Sequence, residues 1–337
     1  TWDKNPDYWK DDEKFPGNRL PYTDEITQIY MADASTKLAA LRSGQIAMLR
    51  DLTLDEAETL QRTNPELVTT SGLHFRSKGA FAMDVRKPPF NDIRVRRAMN
   101  MAVDIETIND TLYGGLGWTS PLGLIGEVVL GFYTPFEEWP EEVKQYYRYD
   151  PERAKQLLAD AGYPDGFKTK LMHPGDTSIS DVEYAQVAKE YFAQIGVDVE
   201  INVTETATWV PHLNNHTYEG MTVGQRGTNY YGLNRVGEVV SNHAWNFSGL
   251  QDPKMDAMVE EATNASSYEE MRRLVLEADQ YYVSLIADVW GPQPPVFHFW
   301  QPWLGGYSGE YSLGGGMITT VYSRLWIDQD MKEEMGH

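Results

Sequence analysis

The sequence contains no cysteine, and this absence removes several kinds of chemistry at once. A chain without thiols forms no disulfide, has no cysteine nucleophile and cannot build a zinc or iron–sulfur site from cysteine ligands. The chain also lacks any run of about 18 apolar residues, the length that a membrane-spanning helix needs. We therefore expect no direct membrane insertion of this segment, and a fold that depends on its hydrophobic core.

Basic residues are scarce, because 29 Lys and Arg stand against 50 Asp and Glu, for a net charge of −21. Proteins that bind nucleic acid carry a basic stripe or patch, and none is visible here. An acidic surface also disfavours adhesion to anionic lipid. We therefore expect no nucleic-acid partner, and we interpret the acidity mainly as a source of solubility.

Catalytic signatures are missing as well. The sequence has no Gly-x-Ser-x-Gly, no phosphate-binding P-loop and no His-Glu-x-x-His. His212 and His216 are four residues apart, but the sequence offers no third ligand beside them. We expect no catalytic residues, no metal site and no cofactor.

The start of the chain is abrupt. The first residues, Thr1-Trp2-Asp3, belong to no signal peptide, and we expect them to be a cut end.

What the chain does contain is a regular succession of helix and strand signals. Asp150-Pro151 and Asp252-Pro253 each provide a capping residue followed by proline, the usual start of a helix. Residues 46–49, 167–172 and 197–203 are apolar or alternating, which is typical of strands. Strands that alternate with helices predict an α/β fold.

A further helix is predicted to begin near Asp92. Its apolar residues recur at spacings of three and one, which predicts one buried stripe. Arg96 lies mostly off that stripe. Residues 116–148 are rich in Gly, Pro and aromatic residues, and they predict a long irregular loop.

Four separated segments resemble the family 5 solute-binding proteins, the peptide and nickel group of ABC importers. They are Asn5-Pro6-Asp7-Tyr8-Trp9, Ala34-Ser35-Thr36 with Leu41-Arg42-Ser43-Gly44, Pro89 to Ala98, and Tyr149 to Leu158 with Ala161-Gly162-Tyr163. Their order and spacing agree with that family over nearly the whole chain.

The resemblance implies a class II periplasmic-binding-protein-like α/β fold, with two lobes joined by a hinge and an incomplete first lobe. Residues 1–78 and 300–337 would belong to the first lobe, and residues 79–299 would form the second. It also implies a non-enzymatic protein that captures a peptide, sugar or related solute between the lobes and delivers it to permease subunits. The expected location is periplasmic or extracellular, and a lipid anchor through residues preceding Thr1 is compatible with it.

Peptide-binding members of the family pair an acidic residue with the peptide ammonium group, yet no acid occurs from Gly220 to Val236. The stretch from His173 to Ser180 also lacks the arginine with which some dipeptide binders hold a carboxylate. Amides, hydroxyls and aromatic faces suit a neutral polyol or sugar, while Arg226 could hold a carboxylate. The predicted ligand-binding residues are Trp209, Gln225, Arg226, Thr228, Asn229, Tyr230, Tyr231 and Trp245.

Two alternatives stay open. Tyr230 and Tyr231 could simply pack between the lobes. A secreted carbohydrate-binding module or glycoside hydrolase with an aromatic groove could also show this composition, because paired carboxylates leave no local signature.

Overall fold

The structure is a computed structural model that describes residues 1–31, 33–73, 80–127, 129–175, 182–224, 231–310 and 321–337. The chain separates into two compact units. Unit 1 comprises Thr1–Leu73 and Pro295–His337, and unit 2 comprises His74–Pro294. Within the described ranges, no helix combines the length and the low polarity that crossing a membrane requires.

The elements follow one another in an α/β order. The first part of unit 1 contains β1 (Trp2–Asp3), β2 (Glu25–Ile26), α1 (Ala34–Arg42), β3 (Met48–Leu52), α2 (Leu54–Thr63) and β4 (Val68–Leu73). Unit 2 contains β5 (Phe81–Met83), α3 (Ile93–Met101), α4 (Ile105–Tyr113), α5 (Glu141–Lys144), α6 (Pro151–Asp160), β6 (Phe167–Pro174), α7 (Val182–Gln194), β7 (Val197–Thr204), α8 (Thr206–Asn214), β8 (Met221–Val223), α9 (Gly232–Gly237), α10 (Pro253–Thr263), α11 (Tyr268–Leu285) and β9 (Asp288–Val289). The second part of unit 1 contains β10 (Pro295–Trp300), β11 (Leu304–Gly305), β12 (Trp326–Ile327) and a last helix, Gln329–Glu334.

Unit 2 is built on a sheet whose described strands have the order β7-β6-β8-β5-β9. Strands β7, β6 and β8 are parallel, and β5 runs antiparallel to both β8 and β9. Helices α3, α6 and α7 cover this sheet through a core that includes Phe81, Met99 and Tyr184. A second core joins α9, α10 and α11 around Met255 and Val275. The predicted α/β class is confirmed.

Unit 1 has a smaller sheet, in which β10 lies between β3 and β4 and is antiparallel to both. One hydrophobic cluster packs Leu41 and Leu60 against Phe297 and Phe299 of β10. Another contains Trp300, together with residues of β11 and of the segment around Leu325. Because β10 contributes to both clusters, it is the central element of this unit.

The structure confirms the predicted starts of two helices, α6 and α10, each of which is capped by the residue directly before it. Asp150 and Asp252 are the N-caps of α6 and α10, and their side chains accept hydrogen bonds from backbone N–H groups of the first turn. Proline follows in both cases, at a position whose N–H has no partner in a helix. These starts need only neighbouring residues, which explains why the sequence predicts them well.

Three details differ from the sequence-based expectation. The strand expected at residues 46–49 occupies Met48–Leu52, because its position is set by pairing with β10. Arg96 is buried, and its guanidinium donates hydrogen bonds to the carbonyl groups of Phe90, Leu285 and Ile286. Residues 116–148 include short helical turns, among them α5, rather than loop alone.

The division into units falls between residues 73 and 74 and between 294 and 295, near the predicted boundaries at 78/79 and 299/300. The main difference is the start of β10. Residues 295–299 belong to unit 1, because their ladder partners β3 and β4 lie there. The assignment of the two units to lobes of a hinged binding protein stays a prediction.

Candidate functional site

The sheet of unit 2 brings the two predicted binding loops to one edge. Strands β6 and β8 are parallel neighbours, with Leu171 opposite Met221, so their carboxyl ends lie side by side. The chain continues from these ends into residues 176–181 and 225–230. In open α/β sheets, ligands bind outside the carboxyl ends of the strands. This edge of unit 2 is therefore the candidate functional site.

The start of β5 and the end of β9 lie at the same edge. Phe81, at the start of β5, lies opposite Val223 at the end of β8. Val289, at the end of β9, lies on the other side of Phe81. Phe81 and Val289 thus lie at the edge where β6 and β8 end, although these strands are far apart in sequence.

Most of the predicted ligand-binding residues cannot be placed. Gln225, Arg226, Thr228, Asn229 and Tyr230 lie outside the described residues. Their assignment to the site stays a prediction, which rests on the position of the loop after β8.

Tyr231 and Trp245 are described, and both are on the surface, with exposed fractions of 71% and 48%. Tyr231 is the N-cap residue of α9, and the next residue, Gly232, packs so closely on Phe132 that a β-carbon would lie 2.6 Å from the ring. Tyr231 thus presents an exposed ring directly after the loop that follows β8.

The Trp245 ring stacks on Phe247 with a centroid distance of 6.3 Å. Trp245 lies toward the other end of β8, because the carbonyl groups of the next two residues, Asn246 and Phe247, contact His216 and Tyr218, which precede that strand.

Trp209 has a different environment from the one expected. Only 1% of it is exposed, and it belongs to the main core of unit 2. Its indole N–H donates a hydrogen bond to Thr222 Oγ1 on β8, at 2.8 Å. Core residues cover both faces of the Trp209 ring, and its indole N–H is already hydrogen-bonded to Thr222. Trp209 is therefore not available to contact a ligand.

Sequence reasoning did not identify Trp290, which directly follows β9 at the same edge. It is 5% exposed, its backbone N–H donates to Asn100 Oδ1 at 2.8 Å, and its carbonyl accepts from Tyr184. Among the residues that the structure describes, its indole N–H has no hydrogen-bond partner. A buried donor without a partner is uncommon in proteins. The unusual feature depends on tertiary burial, so the local sequence gives no signal for it.

The two histidines considered as metal ligands have other contacts. His212 Nδ1 lies 2.7 Å from Thr217 Oγ1, and His216 Nε2 lies 2.6 Å from the carbonyl oxygen of Asn246. Across the part of the chain that the structure describes, no three His, Asp or Glu side chains are grouped so as to hold a metal ion.

Unit 1 has its own unusual feature, a bulge in β3. Phe297 pairs with Leu52 and Phe299 pairs with Leu49, so Arg50 and Asp51 together lie opposite the single residue His298. Asp51 has a φ of 61°, which is uncommon for a residue other than glycine. Bulges of this kind occur often beside functional sites, where they redirect side chains.

A groove of about 660 Å³ also lies in unit 1. It is lined by residues before and within β3, by the segment around β2, and by part of the C-terminal region. The lining residues are Trp2, Thr23, Glu25, Ile26, Thr27, Gln28, Ile29, Tyr30, Met31, Lys37, Gln45, Ile46, Ala47, Met48, Leu49, Arg50, Asp51, Leu304, Tyr322, Leu325 and Ile327.

Comparisons with known proteins agree on one family. Residues 1–241 match the family model described as bacterial extracellular solute-binding proteins, family 5 Middle. The glutathione-binding protein GsiB of Salmonella typhimurium is 29% identical over 197 residues, which are 57% of this chain and 36% of the relative.

Solved structures share the fold. DppA from Helicobacter pylori, in complex with the peptide STSA, has a TM-score of 0.76 at 22% identity, over 97% of this chain and 60% of that one. AgaA from A.tumefacien R10, in complex with agropinic acid, has a TM-score of 0.70 at 19% identity, over 92% of this chain and 62% of that one. The chain therefore spans less than two thirds of the length of each of these three proteins.

The family match extends over well more than half of the sequence, and the solved structures reproduce the α/β architecture of the two units. This chain belongs to the bacterial extracellular solute-binding proteins, family 5.

Proposed function

We propose that the protein is the solute-binding component of an ABC importer, and that its ligand is a short peptide or a peptide-like compound such as glutathione. The observation that carries this proposal is the family match over residues 1–241. Proteins of this family are transport components and not enzymes, so the proposed role includes no turnover. The family description supports a location outside the bacterial cytoplasm. Delivery of the ligand to permease subunits is part of the proposal.

The ligand class is supported by what the similar proteins bind. GsiB is named for glutathione, and DppA was solved with a peptide. AgaA holds agropinic acid, so the fold also accepts other small acids. None of these names supports an oligosaccharide, and a sugar is therefore not part of the proposal.

We propose that the ligand binds at the carboxyl ends of strands β6 and β8 in unit 2. Tyr231 would supply an exposed aromatic face there, and the amide and hydroxyl groups of residues 225–230 suit the hydrogen-bonding groups of a peptide backbone. The exposed ring of Trp245 belongs to a segment at the other end of β8 and is not included. Arg226 is the proposed partner of a ligand carboxylate, because guanidinium and carboxylate groups form paired hydrogen bonds. Trp209 is not included, because it is in the core.

A thermal-unfolding screen of the full-length protein tests the ligand class. Glutathione, tripeptides and an oligosaccharide panel are compared at equal concentration. A ligand that binds only the native state at 100 times its Kd stabilises that state by about 2.7 kcal/mol. We expect stabilisation by peptides or glutathione. Stabilisation by an oligosaccharide alone, or turnover of one, would contradict the proposal.

Calorimetry with N-acetylated ligands then tests how the amino end is held. A buried ammonium group needs a paired acid, since its desolvation is otherwise uncompensated. The segment from Gly220 to Val236 contains no acid. We therefore expect acetylation to leave the affinity within about tenfold. Loss of tight binding on acetylation would show that an acid elsewhere holds the ammonium group.

A further inference from the structure

Trp290 differs from the other tryptophans of unit 2 in the environment of its indole N–H. The indole N–H groups of Trp118, Trp139 and Trp209 donate hydrogen bonds to neighbouring acceptors at 2.7, 3.1 and 2.8 Å. The ring of Trp245 is partly exposed to water. The indole nitrogen of Trp290 is buried, and no acceptor for it lies among the described residues. Because buried polar groups in native proteins are nearly always paired, this donor indicates an acceptor that the described residues do not supply.

The backbone of Trp290 is fixed by two helices. Its N–H donates to Oδ1 of Asn100 on α3 at 2.8 Å, and Asn100 is itself buried. Its carbonyl oxygen accepts a hydrogen bond from the hydroxyl of Tyr184 on α7, and the Tyr184 ring stacks on Phe81 of β5. The indole is therefore attached to a well-fixed part of unit 2. Groups held in this way suit a binding site, because they need little reordering when a ligand arrives.

Trp290 also lies within reach of the proposed ligand site. Strands β8 and β9 are both antiparallel to β5, so they run in the same direction and end at the same edge of the sheet. Trp290 directly follows β9, and only β5 lies between β9 and β8. Two strand spacings amount to about 10 Å, and an extended tripeptide spans about the same length. A tripeptide or glutathione bound at the carboxyl ends of β6 and β8 can therefore extend to Trp290.

The chemistry of the indole restricts what it can bind. An indole N–H is a hydrogen-bond donor only. A phenylalanine at position 290 would fill apolar space without burying a donor, so packing alone does not explain the N–H. Carbonyl and carboxylate oxygens are acceptors, and both glutathione and peptides contain them. The donor therefore matches the proposed class of ligand.

We propose that the indole N–H of Trp290 donates a hydrogen bond to a carbonyl or carboxylate oxygen of the bound ligand, which makes Trp290 a further residue of the ligand site. This inference rests on the proposed function. Binding pockets enclose most of the surface of a small ligand, so a ligand enclosed at this edge of the sheet brings its acceptor to a buried donor. The hydrogen bond forms only in the complex, and it contributes to affinity rather than to the stability of the ligand-free protein.

Calorimetry on the full-length protein and on its Trp290→Phe variant tests this inference, with glutathione and trialanine as probes. The variant keeps an aromatic ring but has no donor. We expect it to bind at least about fivefold more weakly whichever probe the unsubstituted protein binds, because the ligand oxygen then loses its partner.

Trialanine amide identifies the acceptor. An equal loss of affinity with trialanine and with its amide indicates a backbone carbonyl oxygen. A smaller loss with the amide indicates the terminal carboxylate, since hydrogen bonds to charged groups are the stronger ones.

Trp139→Phe is the matched control in unit 2. Trp139 is 2% exposed, and its indole N–H donates to the carbonyl oxygen of Thr134. This variant should bind both probes as the unsubstituted protein does. In urea titrations it should lose more stability than Trp290→Phe, because it breaks a hydrogen bond of the ligand-free protein.

The indole proton–nitrogen NMR signals of the unsubstituted protein give a measurement that does not depend on the folding of a variant. On addition of the probe, the signal of Trp290 should move downfield as its N–H gains an acceptor. The signal of Trp139 should not move, because its N–H is already paired.

Three results would overturn the inference. If Trp290→Phe binds the probes as tightly as the unsubstituted protein and the Trp290 signal does not move, the acceptor is a buried water and not the ligand. If the affinity falls but the signal does not move, Trp290 only supports the shape of the site. Both results leave the proposed function intact. If the unsubstituted protein binds neither probe, the proposed function itself fails, and this inference fails with it.

Discussion

His298 on β10 lies across from Asp51 in the β3 bulge, with 3.9 Å between His298 Nε2 and Asp51 Oδ1. The ring is 2% exposed, and its Nδ1 lies 2.8 Å from the hydroxyl of Tyr307. Burial lowers the pKa of His298 to about 4, since the interior disfavours the charged ring, and the nearby Asp51 carboxylate offsets only part of this effect. The imidazole is therefore neutral at pH 7.

We predict that His298 makes unit 1 less stable as the pH falls from about 6.5 to about 4. In this window the unfolded histidine binds a proton and the folded one does not, so protonation favours unfolding. The shift corresponds to about 3 kcal/mol across the window. His298→Gln should reduce the pH dependence of the free energy of unfolding by this amount, as measured in denaturant titrations between pH 4 and 7.

The exposed His337 of the same unit provides the matched control, because its ring is not buried. His337→Gln should leave the pH dependence unchanged. If both variants show the pH dependence of the unsubstituted protein, the loss of stability in acid has another origin.

A second prediction concerns the close contact between Gly166 and Gly196, which precede β6 and β7. A β-carbon at Gly166 would collide with the carbonyl oxygen of Gly196. Gly166 also has a φ of 76°, where side chains are disfavoured. We expect Gly166→Ala to lower the free energy of unfolding of unit 2 by about 3 kcal/mol or more, from overpacking and backbone strain together.

Gly162→Ala separates these two causes. Gly162 has a φ of 95°, but nothing lies within 4 Å of a β-carbon built there. For this variant the free energy of unfolding should fall by only about 1–2 kcal/mol, which is the cost of placing a side chain in this backbone conformation. Urea titrations of the two variants measure the difference, and equal losses would argue against a collision at Gly166.

The third prediction is that residues 74–294 fold without unit 1. The sheet β7-β6-β8-β5-β9 and both large cores lie within this range. The isolated segment should therefore unfold in one cooperative transition. A broad transition with strong binding of a hydrophobic dye would contradict this expectation.

A second fragment, residues 79–299, is a useful comparison with residues 74–294, because it includes most of β10 but not its partner strands β3 and β4. Val296, Phe297 and Phe299 are buried in unit 1, so this fragment would expose them. We expect it to aggregate more readily than residues 74–294. Equal solubility of the two fragments would show that β10 is not specific to unit 1.

The sequence predicts features of this protein that depend on neighbouring residues. The caps at Asp150 and Asp252 and the buried stripe of α3 are of this kind, and the structure confirms them. The shift of β3 could not be predicted, because its bulge depends on pairing with His298, far away in sequence. The burial of Arg96 likewise depends on carbonyl groups of α11 and the residue after it.

In the candidate site, too, local features could be predicted and features that depend on tertiary contacts could not. The loop after β8 could be proposed from its composition and from the family resemblance. The sequence, however, does not distinguish a tryptophan in a core from one on the surface. Trp209 is buried and Trp245 is exposed because their tertiary surroundings differ. Trp290 was missed for the same reason, since its buried indole N–H is visible only in the folded structure.

The last prediction separates the two kinds of aromatic residue by experiment. Tyr231→Ala changes a largely exposed side chain, so it should alter the free energy of unfolding by about 0.5 kcal/mol or less. Trp245→Ala also removes the stacking on Phe247, so it should cost about 1 kcal/mol. Under the proposed function Tyr231→Ala should weaken binding of glutathione or of a tripeptide, whereas Trp245→Ala, toward the other end of β8, should leave binding unchanged. Removal of an aromatic contact from a binding surface typically costs more than about 1 kcal/mol when that contact is a major one.

Trp209→Ala should give the opposite result. Loss of a fully buried ring costs about 3–5 kcal/mol of stability, and Thr222 also loses its hydrogen-bond donor. Ligand affinity of the remaining folded protein should be little changed. Urea titration and calorimetry on the same three variants distinguish the roles. If Tyr231→Ala binds ligand with unchanged affinity, as Trp245→Ala should, Tyr231 is only a surface aromatic, and the ligand must be held by other groups at the edge of the sheet.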